Sequence, residues 1–419
     1  PAATVSGHRA SLTDALFTAT SATCVTGLSV QDTARYFSVF GQVVILGLIQ
    51  VGGLGIMTFS VSLALLLKKR IEMRQEVAMQ EMLDQRDLSS VKRMTLFILK
   101  MTLVAEALGA LVLAVAWQGR AGGFFKTVFA AIFHAVSAFC NAGFSTFSDN
   151  LTGFRSDIVT NVTVCLLIVA GGLGFVVIRD VFFVCKNRLT RGQGKREHLK
   201  GQSRIVLVTS LVLIVIGAAG LFFAEKDLLL AGQGARAGIL IPVFQSVSAR
   251  TAGFNSCDIG RLCPFSLWLL IGLMFIGGSP ASTAGGIKTT TAAILWAMLW
   301  SELRERPQIE LFKRTIPAET VKKAAVILVF SLLLVAVFTG VLMLVEQKEP
   351  LALVFETVSA FGTVGLSTGI TPVLTVPGKL LITLLMFIGR IGPLTVGYAL
   401  FRGRRPAQYR YAQEAVGIG

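Results

Sequence analysis

The sequence predicts an all-α integral membrane protein of four repeats, each a helix, a short re-entrant helix ending in a turn, and a second helix. Three observations carry this expectation. Hydrophobic residues make up 53% of the chain and charged ones 15%, against roughly 45–50% and about 25% in soluble domains. Several apolar runs are each long enough to cross a hydrocarbon core about 30 Å thick. Four short segments between them end on one glycine pattern at near-constant spacing. A soluble chain of 419 residues would have to bury all of those runs in roughly three domains, and that reading is excluded.

The spanning runs are Val39–Leu67, Met94–Trp117, Ile158–Val184, Ile205–Ala224, Phe265–Trp300, Val321–Val345 and Leu380–Phe401. The shorter, half-polar segments Leu12–Thr23, Phe124–Phe139, Ile239–Ala249 and Leu351–Phe361 are too short to span and fit re-entrant helices. They end in SATCVTGL (21–28), SAFCNAGF (137–144), SARTAGF (248–254) and SAFGTVGL (359–366), whose glycines Gly27, Gly143, Gly253 and Gly365 are separated by 116, 110 and 112 residues. A recurrence of this kind marks internal repetition. Each following run has a central glycine motif: QVGGLG (50–55), VAGGLG (169–174), FIGGSP (275–280) and FIGRIGP (387–393).

The repeats are expected at 1–67, 94–184, 205–300 and 321–401, with a tail at 402–419. The chain begins at Pro1 and shows no signal-peptide pattern. Repeat one lacks its first helix, so the residues of one spanning helix are expected to be missing before Pro1.

Net charge is +16. The cations cluster between repeats (68–93, 186–204, 304–323) and in the tail (402–410), the signature of cytoplasmic loops rather than of a nucleic-acid surface. The glycine turns then open outward. Six cysteines include no C-x-x-C pair, so zinc and redox motifs are unsupported. Cys257 and Cys263 are left as free thiols or a bridge. Three histidines are too scattered for a metal site, the phosphate-loop motif is absent, and the chain is read as no enzyme.

A cation entering a membrane must exchange its water shell for other oxygens, and backbone carbonyls aimed at one axis supply them. Such a backbone is neither helix nor strand, so it must be buried in protein. Four loops would give rings of carbonyls around a central pore, as in a potassium channel, and Thr363-Val364-Gly365 spells the core of that signature. The candidate potassium-binding residues are Val25, Thr26 and Gly27; Asn141, Ala142 and Gly143; Thr251, Ala252 and Gly253; and Thr363, Val364 and Gly365. The C-terminal ends of the short helices would add negative potential there.

The third second-helix holds GGSPASTAGGIKTTT (277–291), a density of Gly, Ser and Pro no helix sustains. An unwound stretch in lipid must line a cavity or be covered by protein. It is read as an intramembrane gating loop (277–290) involving Gly278, Ser279, Pro280, Ser282, Thr283, Gly285, Gly286 and Lys288, with a kinked helix as the alternative. Arg390 lies mid-membrane, where a charge is expensive and usually functional. It is expected either to pace ions below the filter or to form a structural salt bridge, with Glu356 and Glu106 as candidate partners. No carboxylate is expected beside the glycine turns. Arg250 is expected to brace its turn, and His134 to pack with a hydrogen bond.

The four loops, Gln50–Gly55, Ser359–Leu366, residues 277–291 and Phe387–Thr395 resemble the Trk/Ktr/HKT potassium transporter superfamily, and within it the KtrB-type membrane subunits, over essentially the whole chain. The resemblance implies potassium uptake at the bacterial cytoplasmic membrane through a multi-pass, channel-like subunit. It makes the four glycines the filter, residues 278–290 the gating loop and Arg390 its neighbouring arginine. It also implies a homodimer among membrane lipids, seated on a cytoplasmic KtrA-type ring that binds ATP or ADP, with sodium stimulating some members. No cofactor beyond potassium as substrate, and no nucleic acid, is implied. The alternative function is a sodium- or proton-coupled secondary transporter, since broken helices and repeats also mark those proteins.

Overall fold

A computed structural model describes residues 2–7, 9–55, 88–120, 122–190, 199–393, 395 and 397. Fourteen α-helices in the described residues carry the fold. Repeat one contributes α1 (Leu12–Thr23), a single turn α2 (Thr33–Tyr36) and α3 (Val39–Leu54). Repeat two contributes α4 (Leu88–Ala116), α5 (Phe124–Phe139), α6 (Ile158–Leu173) and α7 (Phe175–Thr190). Repeat three contributes α8 (Gly201–Glu225), α9 (Ala235–Ser248), α10 (Pro264–Phe275) and α11 (Thr289–Glu302). Repeat four contributes α12 (Ala318–Val345), α13 (Pro350–Gly362) and α14 (Val376–Ile391). One two-stranded hairpin, β1 (Glu310–Leu311) and β2 (Arg314–Thr315), links repeats three and four.

The helices α4, α8 and α12 are long and apolar enough to cross a membrane. Their exposed Leu103, Val215 and Leu344 present apolar surface of the kind lipid accepts. The C-terminal parts of the short helices α1, α5, α9 and α13, which lead into the glycine turns, are largely buried, as a segment too short to span requires.

The second helices depart from the expected continuous spans. The run 158–184 is two helices meeting at 105°. The bend falls at Gly174, whose φ of +86° belongs to the region that favours glycine. The helix in 39–67 likewise ends before Gly55 (φ +79°), and the run 380–401 is interrupted at Gly392 (φ +97°), past which residue 393 is helical again. Residues 56–67, 398–401 and the 402–419 tail lie outside the described residues. Each break comes at the last glycine of the central motif, because an earlier glycine of that motif meets a neighbouring backbone: a Cβ at Gly52, Gly171 or Gly389 would overlap the carbonyl oxygen of Thr23, Phe139 or Phe361, at the foot of its own repeat's short helix.

Packing closes the repeats in a cycle. Each second helix also lies on the short helix of the next repeat: α3 on α5, α6 on α9, α10 on α13, and α14 on α1. The last contact is fastened by Lys379 Nζ and Asp14 Oδ1 at 2.8 Å, with side chains 13% and 14% exposed, and Gln31 donates to the second Asp14 oxygen.

Candidate functional site: four glycine turns and the loop beneath them

After each short helix the backbone runs through the same sequence of torsions. Val25, Asn141, Thr251 and Thr363 take φ of +57°, +59°, +73° and +49°, and two residues later Gly27, Gly143, Gly253 and Gly365 take +95°, +68°, +74° and +91°. The residues between them, Thr26, Ala142, Ala252 and Val364, have ordinary negative φ. Alternating handedness turns successive peptide planes to a common side, the requirement for a row of carbonyls facing one axis. Left-handed torsions are costly for β-branched residues such as Val25, Thr251 and Thr363, and strain of this kind clusters at functional sites.

The four turns meet. A Cβ on Gly27 would strike the Ala142 carbonyl, on Gly143 that of Ala252, on Gly253 that of Val364, and on Gly365 that of Thr26. All four glycines line one open vestibule of about 340 Å³, together with Asp32, Asp258 and Ser367. The flanking Val25, Thr26, Asn141, Ala142, Thr251, Ala252, Thr363 and Val364 are fully buried. Within the turns the buried Thr26 and Thr363 hydroxyls have no hydrogen-bond partner among the described residues.

The Ser of each Ser-Ala pair braces its turn, a role not read from the sequence although the shared serine was visible there. Ser21 Oγ donates to Leu28 O (2.7 Å), Ser137 Oγ to Phe144 O (2.8 Å) and Ser248 Oγ to Phe254 O (2.6 Å). Ser359 Oγ accepts from Gly365 N–H at 3.1 Å. Arg250 donates to the carbonyl and hydroxyl of Ser210 on α8, bracing the third turn as expected. His134 bonds Ala130 O and Ser145 Oγ, both at 2.8 Å, beneath Phe147 and Trp117.

Residues 276–288 are non-helical apart from an isolated bridge between Ile276 and Ile287. The segment touches the second, third and fourth repeats. Ser279 N–H donates to Gly172 O (3.0 Å) and Phe175 N–H to Ala281 O (3.0 Å), while Gly174 lies against the Pro280 carbonyl. A Cβ on Gly277 would meet Thr251 of the third turn, on Gly285 Thr363 of the fourth, and on Gly286 Gly362 above it. Gly278 packs against Ala284. The segment holds itself together through Ser282 Oγ to Ser279 O (2.6 Å), Ser279 Oγ with Thr289 Oγ1 (3.2 Å), and Lys288 Nζ to Ala284 O (2.7 Å). Arg390 donates to Thr283 O in the loop and to Gly52 O of repeat one.

Two expectations are corrected. Arg390 pairs with neither Glu106 nor Glu356; the guanidinium instead satisfies main-chain carbonyls, whose dipoles stand in for a counter-charge. Carboxylates do sit beside the turns. Glu356, on α13, accepts from Ser367 Oγ, Thr368 N–H (3.2 Å) and Thr371 Oγ1 (2.8 Å) behind the fourth turn. Glu106 accepts from Gln50 Nε2 (3.3 Å) and contacts Cys140 at the foot of the second. The sequence named both acids only as partners of Arg390; their actual partners follow Glu356 across its turn, 11–15 residues on, and lie 34 and 56 residues from Glu106. All six cysteines, Cys257 and Cys263 included, are free thiols.

Residues 2–403 match the family described as TrkH, cation transport protein. The chain is 39% identical, over its whole length and 90% of the other's, to the Ktr system potassium uptake protein B of Vibrio alginolyticus. It is 39% identical to the protein of that name from Bacillus subtilis, over 97% of this chain and 89% of that one. It is 37% identical to the potassium/sodium uptake protein NtpJ of Enterococcus hirae, over 99% of this chain and 91% of that one. The crystal structure of the potassium transporter TrkH from Vibrio parahaemolyticus has the same fold, with a TM-score of 0.71 and 18% identity over 94% of this chain and 79% of that one. These proteins are named for transport or uptake, not for catalysis. The chain is a multi-pass membrane protein, and it belongs to the TrkH family of cation transport proteins.

Proposed function

We propose that the chain is the ion-translocating subunit of a potassium uptake system in the bacterial cytoplasmic membrane. The observation that carries this reading is the closed cycle of four glycine turns around one vestibule. A potassium ion leaves its hydration shell at the vestibule and is received by the carbonyls of Val25–Gly27, Asn141–Gly143, Thr251–Gly253 and Thr363–Gly365. The unpartnered Thr26 and Thr363 hydroxyls supply further oxygens. Repeats at 1–67, 94–184, 205–300 and 321–401 share the pore, and the 402–419 tail lies with the other cation-rich links on the cytoplasmic side.

Residues 277–290 act as the gate, and the present arrangement is its closed one: the loop spans the space beneath the third and fourth turns, and Arg390 ties it to repeat one. The names of the relatives from V. alginolyticus, B. subtilis and E. hirae support potassium as the cargo, a Ktr-type assembly and sodium as a second ion. The proposed assembly is a homodimer on a cytoplasmic nucleotide-binding ring, with ATP or ADP held by the ring.

The buried Glu356 behind the fourth turn favours one second reading, transport coupled to sodium or protons. Flux in proteoliposomes at set membrane potentials, with and without a sodium or proton gradient, separates the two. A potassium conductance driven by the electrical gradient alone supports the channel-like reading. Flux that stops without a coupling gradient sinks it.

A further inference from the structure

We propose that the cavity between α8, α11 and the β1–β2 hairpin is a binding site for the headgroup and upper acyl region of one anionic glycerophospholipid. It has a volume of about 780 Å³ and lies at the end of α8 remote from the vestibule. Its lining includes Lys200, Arg204 and Arg314, none of which enters an ion pair among the described residues. The first turn of α8 faces the same space and has no side-chain cap, so uncapped N–H groups add positive potential to the three cations. Asp180, which accepts the Lys200 N–H at 2.9 Å, does not line the cavity.

The walls select an amphiphile over a free anion. Ile205, Ile294 and Phe312 line the cavity beside the cations, and apolar surface gains nothing from a hydrated phosphate. The depth agrees. On α11, Trp300 is 46% exposed and its ring carries Arg304 at 4.5 Å, the pattern of a residue at the membrane interface. Ile294 lies about 9 Å further along the helix at 1.5 Å per residue, within the hydrocarbon. The lining therefore extends from headgroup level into the acyl region and combines cations with apolar residues. Basic pockets between spanning helices at this level are known to suit anionic headgroups. Thr290, the second residue of α11, also lines it, so the occupant would rest against the helix that leads directly out of residues 276–288.

The test is retention of lipid by the purified, delipidated full chain in native mass spectrometry, with phosphatidylglycerol, phosphatidylcholine or inorganic phosphate added. Transport is not read, so the outcome is independent of the proposed function. Phosphatidylglycerol should be retained in preference to phosphatidylcholine. The double variant R204Q/R314Q should bind it about 25-fold more weakly, at about fivefold per cation removed, while R204K/R314K keeps it. Equal retention of the two lipids, or a double variant that binds like the wild type, would overturn the proposal. So would loss in R204K/R314K, or displacement by millimolar inorganic phosphate, which would make the site one for free anions.

Discussion

At Val25, Thr251 and Thr363 a β-branched residue is held in a left-handed torsion that would cost about 1–3 kcal/mol in isolation. The surrounding bonds hold it there, chiefly the serine braces and the carbonyls of the adjoining repeat. A side chain at Gly143 would press on Ala252 O at 2.7 Å and displace an atom proposed to face the ion. Gly143→Ser should therefore lower the preference for potassium over sodium about tenfold, read from competition in rubidium uptake. Ser137→Ala removes a bond to Phe144 O and should cost about 1 kcal/mol, measured as a lower melting temperature in detergent together with weaker discrimination. The glycines and the shared serines are visible in the sequence because they recur. The left-handed residues before the glycines are not, since of the four only Asn141 belongs to a type that favours that torsion. The partners of Glu356 were equally hidden: Ser367, Thr368 and Thr371 follow it across a turn whose shape no local pattern records.

The second helices explain why apolar runs mislead about elements. From Ile158 to Val184 the residues remain apolar through Gly174, so hydropathy reads one span, whereas the backbone turns by 105°. The cause is steric rather than compositional. Gly171 must approach Phe139 O, and the chain leaves that contact through a glycine with positive φ. Gly171→Ala should destabilise the protein by about 1–3 kcal/mol, the usual cost of forcing atoms into a packed site, seen as a lower melting temperature. The loop 276–288 was legible because no helix accommodates its Gly, Ser and Pro content. Its partners were not, and Arg390 turned out to bond carbonyls where an acid was expected. Deleting 279–286 should raise ion flux, and Arg390→Ala should do so by releasing Thr283. Unchanged flux with a lowered melting temperature would leave Arg390 a structural role alone.

Across the whole molecule the repeats follow one another around the axis in chain order, each second helix resting on the next short helix. The four-fold repetition could be read from the sequence, but the closure between repeats four and one could not, because it joins residues 365 positions apart. The Lys379–Asp14 pair is mostly shielded from water, so removing one partner strands the other and should cost about 3 kcal/mol. Asp14→Ala should lower the melting temperature sharply, and the exchanged pair D14K/K379D should recover part of that loss. If the exchange recovers nothing, the pair is not the fastening.

Four turns from one chain are proposed to form a single potassium-selective filter. Rubidium uptake into proteoliposomes, challenged with external potassium or sodium, tests it most directly when the wild type is compared with serine variants at Gly27, Gly143, Gly253 and Gly365 in turn. The expected result is that potassium competes far better than sodium in the wild type, and that each of the four substitutions narrows the difference. Folded variants at any of these glycines that discriminate as well as the wild type would contradict it.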